Sequence, residues 1–147
     1  MKTKTSSCQC GHVQFDVNTK PRLRMLCHCT ICQKFNQASH ADVLVFNTRD
    51  ITTPSSDYVV FKTYKAPPNV KRGSCVKCGQ AAIETFSFPL LPKLTMVPAA
   101  MFAADADLPD PDAHMFYDKR VADVDDELPK HQGFIKSQLA FFKHLWF

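Results

Sequence analysis

Cys8-Gln9-Cys10-Gly11-His12-Val13-Gln14-Phe15-Asp16-Val17 joins two patterns that decide the architecture. Val13, Phe15 and Val17 alternate with His12, Gln14 and Asp16, the period of two that marks a half-buried strand. Two cysteines and a glycine stand directly before it, so the strand leaves a turn of metal-binding type. The same short β-like runs continue outward. Leu23 and Met25 alternate with Arg22 and Arg24, and residues 43–46, 58–64, 83–88 and 115–117 are rich in β-branched and aromatic residues. Ten prolines, among them Pro67, Pro68, Pro89, Pro92, Pro98, Pro109 and Pro111, interrupt the chain too often for long helices. The reading is a mainly β domain with short helical turns.

A chain of 147 residues, 45% hydrophobic and 22% charged, is sized for one domain with its own apolar core, to which 12 Phe contribute. Disorder is excluded on composition. Residues 1–7 contain no apolar run of the signal-peptide kind, and the longest uncharged apolar stretch, Leu94 to Ala104, is 11 residues with Pro98 inside it. The expectation is a cytoplasmic protein, neither secreted nor membrane-spanning. Seven Cys, an odd count, argue for reduced thiolates in metal ligation or catalysis rather than a disulfide framework. The net charge of +4 falls to +1 if all seven are thiolates holding two zinc ions, which removes the case for nucleic-acid binding.

The cysteines fall into three groups: Cys8 and Cys10; Cys27, Cys29 and Cys32; Cys75 and Cys78. Cys75-Val76-Lys77-Cys78-Gly79 is a zinc-knuckle turn in which the glycine relaxes the backbone after the second sulfur, and Gly11 follows Cys10 in the same way. Cys8, Cys10, Cys75 and Cys78 are therefore expected to close one tetrahedral structural site, with buried unliganded thiols or an adventitious disulfide as the alternative. In the middle group, Cys27 and Cys29 share a side of an extended segment, and Cys29 and Cys32 are neighbours across one helical turn. Three protein ligands with an open position are the pattern of a catalytic zinc. The competing arrangement is a closed Cys3His site. There His28, held between two ligands, would point away, and His40 or His114 would be the better fourth ligand. Three thiolates make zinc a weak Lewis acid but leave it thiophilic, so an incoming thiol could be held and deprotonated as a nucleophile.

Residues 134–147 lack Pro and Gly, and Phe134, Ile135, Leu139, Phe141, Phe142, Leu145 and Trp146 share one side of a helical wheel, with Lys136, Lys143 and His144 opposite. This predicts an amphipathic helix within 131–147 that packs on the 5–130 domain, forms a homodimer contact or lies as a flap over the active site.

The three Cys motifs, taken in order with Cys8-Gln9-Cys10-Gly11-His12-Val13 and Cys27-His28-Cys29-Thr30-Ile31-Cys32-Gln33-Lys34, resemble the glutathione-dependent formaldehyde-activating enzyme family, which includes centromere protein V. The stretch from His114 to Lys119 and on through Asp125-Asp126-Glu127-Leu128-Pro129 is similar to that family's closing segment. The resemblance implies an Mss4-like tent of antiparallel sheets, a structural zinc on Cys8, Cys10, Cys75 and Cys78, and a catalytic zinc on Cys27, Cys29 and Cys32. It also implies a carbon–sulfur lyase type of chemistry, in which glutathione adds to formaldehyde to give S-hydroxymethylglutathione. Ser74, Asn36 and the region of Ala122 depart from the family's usual residues. Glutathione carries two carboxylates, and Lys34, Lys62, Lys65, Lys71 and Arg72 are the cations available to meet them. Two other functions remain in view. One is a zinc-stapled binding module without catalysis. The other, a methionine sulfoxide reductase of the same fold class, would need a further nucleophilic Cys, and none is left.

Overall fold

A computed structural model describes residues 4–64 and 69–146, with the side chain of Trp146 left aside; Lys65, Pro67 and Pro68 lie outside the described residues. Among these residues, nine strands form two sheets. β1 (Lys4–Ser7) and β2 (Gln14–Val17) make an antiparallel pair. The other seven are β3 (Leu23–Cys27), β4 (Ala41–Asn47), β5 (Val59–Lys62), β6 (Val70–Cys75), β7 (Ala81–Phe86), β8 (Leu94–Pro98) and β9 (Ala113–Met115). They lie in the order β5-β6-β7-β8-β4-β3-β9. The two helices are α1 (Thr30–Asn36) and α2 (Phe134–Trp146). The chain is mainly β, as the alternating runs predict. The large sheet is mixed rather than wholly antiparallel, because β9 returns alongside β3 in the parallel sense.

The central strand β4 shows why the sheet buries both faces. Leu44 and Phe46 point into a core shared with Val13, Phe15, Ile83 and Val97, whereas Val43 and Val45 point into a second core with Leu23, Met25, Met96 and Met115. Cys8 and Cys75 belong to the first core, and Cys27 and Cys32 to the second. The sheet thus separates two of the cysteine groups from the third.

The strands depart from the sequence pattern at three places. The run 115–117 does not stay extended, because Phe116 takes a left-handed φ of 53° and Tyr117–Lys119 form a 3-10 turn. β6 has no apolar alternation in Val70-Lys71-Arg72-Gly73-Ser74, and its place comes from pairing on both sides with β5 and β7. β8 falls in the stretch noted above only for its low polarity.

The face that α2 turns inward also differs from the arc of large residues. Ser137, Ala140 and Leu145 are buried, while Phe134, Ile135 and Leu139 are exposed. The small side chains allow close approach, and Ser137 Oγ accepts the Phe116 N–H at 2.8 Å. Arg22 donates through its guanidinium to the Leu145 carbonyl at the far end of the helix, where its charge also suits the helix dipole.

Gly73 marks a tight crossing between β6 and its neighbour β5. A Cβ there would run into Val59 Cγ1 and come within 2.9 Å of Phe61 Cε1. Val59 is buried and stiff at χ1, so the clash cannot be relieved by a swing of a long side chain. Gly73→Ala should cost about 1–3 kcal/mol, read as a lowered urea midpoint. A midpoint equal to that of the parent would show that β5 moves aside freely.

Candidate metal centres and cavity

The first centre is built from two turns of the same design. Cys8 N–H donates to Val13 O and Gly11 N–H to Cys8 O, while Cys75 N–H donates to Gln80 O and Gly79 N–H to Cys75 O, all at 3.0–3.1 Å. Gly11 and Gly79 have φ of +78° and +75°, the left-handed conformation that the knuckle reading requires of the residue after the second sulfur. The sulfurs of Cys8, Cys10, Cys75 and Cys78 all lie within 4.8 Å of one another. Gln9 N–H reaches Gln80 Oε1 at 2.7 Å, so the two turns are bonded to each other as well. Burial pushes the Cys8 thiol up, but the Val13 N–H and the thiols of Cys10, Cys75 and Cys78 outweigh it and hold Cys8 at about 6. Four soft donors at this spacing, with Cys8 and Cys75 both drawn toward the thiolate, suit a metal ion.

The second centre lies where β3 runs into α1. Cys27 ends the strand, Cys29 is the N-cap of the helix and Cys32 sits one turn in. Cys29 Sγ accepts the Cys32 N–H at 3.3 Å, a cap interaction that also directs the sulfur inward. The helix ends at Gln37, in a left-handed conformation, and Asn36 Nδ2 donates to Cys32 O at 2.9 Å. The three sulfurs lie within 4.8 Å of one another. Their acidities are divided accordingly. Hydrogen bonds from Cys27, then Cys32, draw Cys29 down to about 3. Cys27 is pushed well up, first by sharing with Cys29, and Cys32 likewise, first by sharing with Cys27. Ionisation is thus favoured at Cys29 and opposed at Cys27 and Cys32, and a dication would allow all three to ionise. The donor set fits a thiophilic metal.

Neither His40 nor His114 joins these sulfurs; among the described residues the group contains no histidine. His114 has both ring nitrogens engaged: Nδ1 with His28 Nε2 at 2.8 Å and Nε2 with Asp126 Oδ2 at 2.7 Å. Lys130 Nζ in turn donates to Asp126 Oδ1 at 2.7 Å. His40 is bonded through Nδ1 to Ser39 Oγ at 2.9 Å. This arrangement gives no support to the alternative of a closed Cys3His site through His40 or His114. The chain from His28 to Lys130 instead fixes the Cys27-His28-Cys29 turn from behind. Burial holds His28 at about 4, with the neighbouring His40 and His114 acting in the same direction, so it serves as a neutral hydrogen-bonding ring. Lys130, then His114, keeps the Asp126 carboxyl far below the usual carboxylate range. His28 N–H and C=O are also held, by Met115 O at 2.9 Å and by Gln33 Nε2 at 2.7 Å.

Cys27, Cys29 and Cys32 open onto a cavity of about 400 Å3. Its inner wall is Met25, Val43, Met96 and Met115 from the sheet, and its outer wall includes Phe134, Phe141 and Phe142 of α2. Of the cations considered for glutathione, Arg72 lines the cavity; Lys34, Lys62 and Lys71 are exposed elsewhere, and Lys65 is outside the described residues. Glu84 was not singled out by the sequence, yet it is buried at the cavity wall with its Oε1 3.1 Å from Arg72 Nε. Asp118 and Lys119 stand at the exposed edge. No acid–base spacing could have found Glu84, since its pairing with Arg72 is cross-strand, between β6 and β7.

The profile of the glutathione-dependent formaldehyde-activating enzyme family matches residues 3–119, which contain all seven cysteines. No curated protein matches the chain significantly. A crystal structure of a Rhodobacter sphaeroides protein from structural genomics is similar at 16% identity and a TM-score of 0.49, over 69% of this chain and 90% of that one. That likeness is too slight to bear on activity. The family match extends over most of the sequence and includes both cysteine centres: the chain belongs to the glutathione-dependent formaldehyde-activating enzyme family.

Proposed function

We propose that this protein is a zinc-dependent carbon–sulfur enzyme that holds a small thiol, glutathione as the family implies, and adds it to or removes it from formaldehyde or a related small carbonyl compound. The observation that carries the reading is the group of three sulfurs within 4.8 Å of one another, bordering a cavity rather than a fourth side-chain donor among the described residues. Cys27, Cys29 and Cys32 would hold the zinc of this centre, and Cys8, Cys10, Cys75 and Cys78 would hold a second, structural zinc. When bound at the three-cysteine centre, zinc supplies a thiophilic Lewis acid that lowers the pKa of an incoming thiol.

The chain's own residues prepare the rest. The His28–His114–Asp126 chain orients the turn that carries two of the sulfurs, much as outer partners orient ligands in other metal sites. Met25, Met96 and Met115 give the inner wall an apolar surface, and a less polar surround would strengthen the electrostatic interactions of a bound thiolate. Arg72 faces the same space and draws the Cys29 sulfur toward its ionised form, after the hydrogen bonds already described. A thiolate bound nearby would gain from the same positive charge.

The zinc-loaded protein should bind glutathione and release a proton, whereas S-methylglutathione, which has no ionisable thiol, should bind at least about tenfold more weakly. Titration calorimetry in buffers of different ionisation enthalpy measures both quantities, with Cys29→Ser as the control. Formaldehyde and glutathione combine without help, so acceleration over the spontaneous rate is the kinetic readout. Equal binding of the two ligands, or unchanged binding by Cys29→Ser, would leave a zinc-stapled module without thiol chemistry.

A further inference from the structure

Formaldehyde has two heavy atoms against the one of water, whose share of liquid volume is about 30 Å3, so it fills only a small part of a large cavity. The cavity beside Cys27, Cys29 and Cys32 has about 400 Å3, within the range of sites that enclose drug-sized ligands. Nor does its wall suit the peptide part of glutathione. Two carboxylates and an ammonium need charged partners, but Arg72 and Glu84 are engaged with each other, and Asp118 and Lys119 lie at the exposed edge. Apart from the neutral Thr30, Gln138 and Ser137, the last already bonded to Phe116 N–H, the rest of the wall is chiefly methionine, valine and phenylalanine. An apolar cavity of this size contributes binding energy only to a ligand with hydrocarbon to bury.

The source of the outer wall sharpens the point. Phe134, Phe141 and Phe142 belong to α2, beyond the 3–119 segment that the family shares. α2 is fixed in place by the Ser137 hydroxyl on Phe116 N–H and by Arg22 on the Leu145 carbonyl. The catalytic sulfurs therefore come from the family segment, while part of the surface that a second reactant meets comes from this chain's own C-terminal helix.

We propose that the carbonyl substrate of this site is an aldehyde bearing an aliphatic or aromatic hydrocarbon substituent, and that α2, through Phe141 and Phe142, sets the preference for it over formaldehyde. This rests on the thiol-activation reading for its chemistry. In the addition, the thiolate sulfur forms a bond to the carbonyl carbon, the C=O π pair moves to oxygen, and that oxygen takes up the proton the thiol released. The product is a hemithioacetal, and no oxidant or reductant is needed. The substituent lies against the Phe and Met walls while the thiol's polar part extends toward Lys119.

Two measurements on the zinc-loaded full chain test this. In the first, straight-chain alcohols from ethanol to octanol, which carry neither thiol nor carbonyl, are titrated and followed by amide chemical shifts. Affinity should rise about fourfold for each added methylene, the value for burying one CH2, and shift changes should centre on the cavity. In the second, glutathione is combined with formaldehyde, butanal, hexanal and octanal, and acceleration over the spontaneous reaction should grow along the series. Phe141→Ala should flatten both trends, Phe141→Leu should keep most of them, and Ile135→Ser, on the exposed side of α2, should leave them unchanged; melting curves verify that each variant is folded. Absence of any chain-length trend for the alcohols, or acceleration of formaldehyde alone, would overturn the proposal. A clear alcohol trend without acceleration of any aldehyde would overturn the thiol-activation reading, and the proposal that rests on it, while leaving the apolar cavity itself in place.

Discussion

Cys75→Ser should abolish cooperative folding, while Cys29→Ser should leave a folded domain. The difference follows from what each group of sulfurs connects. β1 and β2 pair only with each other among the named strands, and an isolated two-stranded ribbon is marginal in water. The four-cysteine centre ties the turn between them to the β6–β7 turn, a separation of 65 residues between Cys10 and Cys75. A structural zinc of this kind is worth about 10–16 kcal/mol of apparent binding energy, against about 5–15 kcal/mol for the stability of a whole domain. Without Cys75 the ion has three sulfurs, one core position becomes polar, and the hairpin retains Val13, Phe15 and Val17 as its main attachment. By contrast, Cys27, Cys29 and Cys32 lie within one local turn, already held by the Gln33 and Met115 bonds to His28. Circular dichroism melts of the two variants provide the comparison, with the parent treated with a strong chelator as a third sample. Equal loss of structure in Cys75→Ser and Cys29→Ser would remove the division into structural and catalytic centres.

What could be read in the sequence, and what could not, divides along the range of the interactions. Knuckle spacing and the glycines after Cys10 and Cys78 are local chemistry, and the geometry of both turns could be foreseen from them. The runs that became β2, β3, β4, β5 and β7 carry their apolar residues in strand order. The polar strand β6 does not, since Arg72 is tolerated inside the sheet only because Glu84 faces it from β7. His114 shows the same limit. The sequence offers it only as a candidate fourth ligand within the closed-site alternative, and the partners that engage its ring, His28, 86 residues away in sequence, and Asp126, are not legible there. The orientation of α2 is only partly legible, for a related reason. Side-chain size puts Phe134, Ile135 and Leu139 on one arc with Phe141, Phe142 and Leu145; the latter three pack on the domain, but a serine that completes a backbone hydrogen bond and an alanine that permits close contact turn the first three outward.

Arg72→Leu should destabilise the domain by about 3–5 kcal/mol at neutral pH, the usual cost of leaving the other member of a buried ion pair without its partner. The side chains of Arg72 and Glu84 are 12% and 3% exposed, so neither charge is relieved by water. Burial already raises the Glu84 carboxyl above its ordinary value, and the Arg72 charge opposes that rise. Removing Arg72 should drive it higher still. A carboxyl whose folded pKa exceeds its unfolded pKa of about 4.3 favours folding below the unfolded value and loses that contribution as pH rises through the folded one. The deficit of Arg72→Leu relative to the parent should consequently grow between pH 5 and pH 8, rather than shrink. Urea melts at the two pH values measure it. Adding Glu84→Leu should recover most of the loss, because two apolar side chains can replace a buried pair at little cost, whereas it should not restore thiol binding, since the positive charge beside Cys29 would still be missing. A variant as stable as the parent at pH 8 would mean that the carboxylate finds another partner or water, and that the Arg72–Glu84 pair is not what closes this side of the cavity.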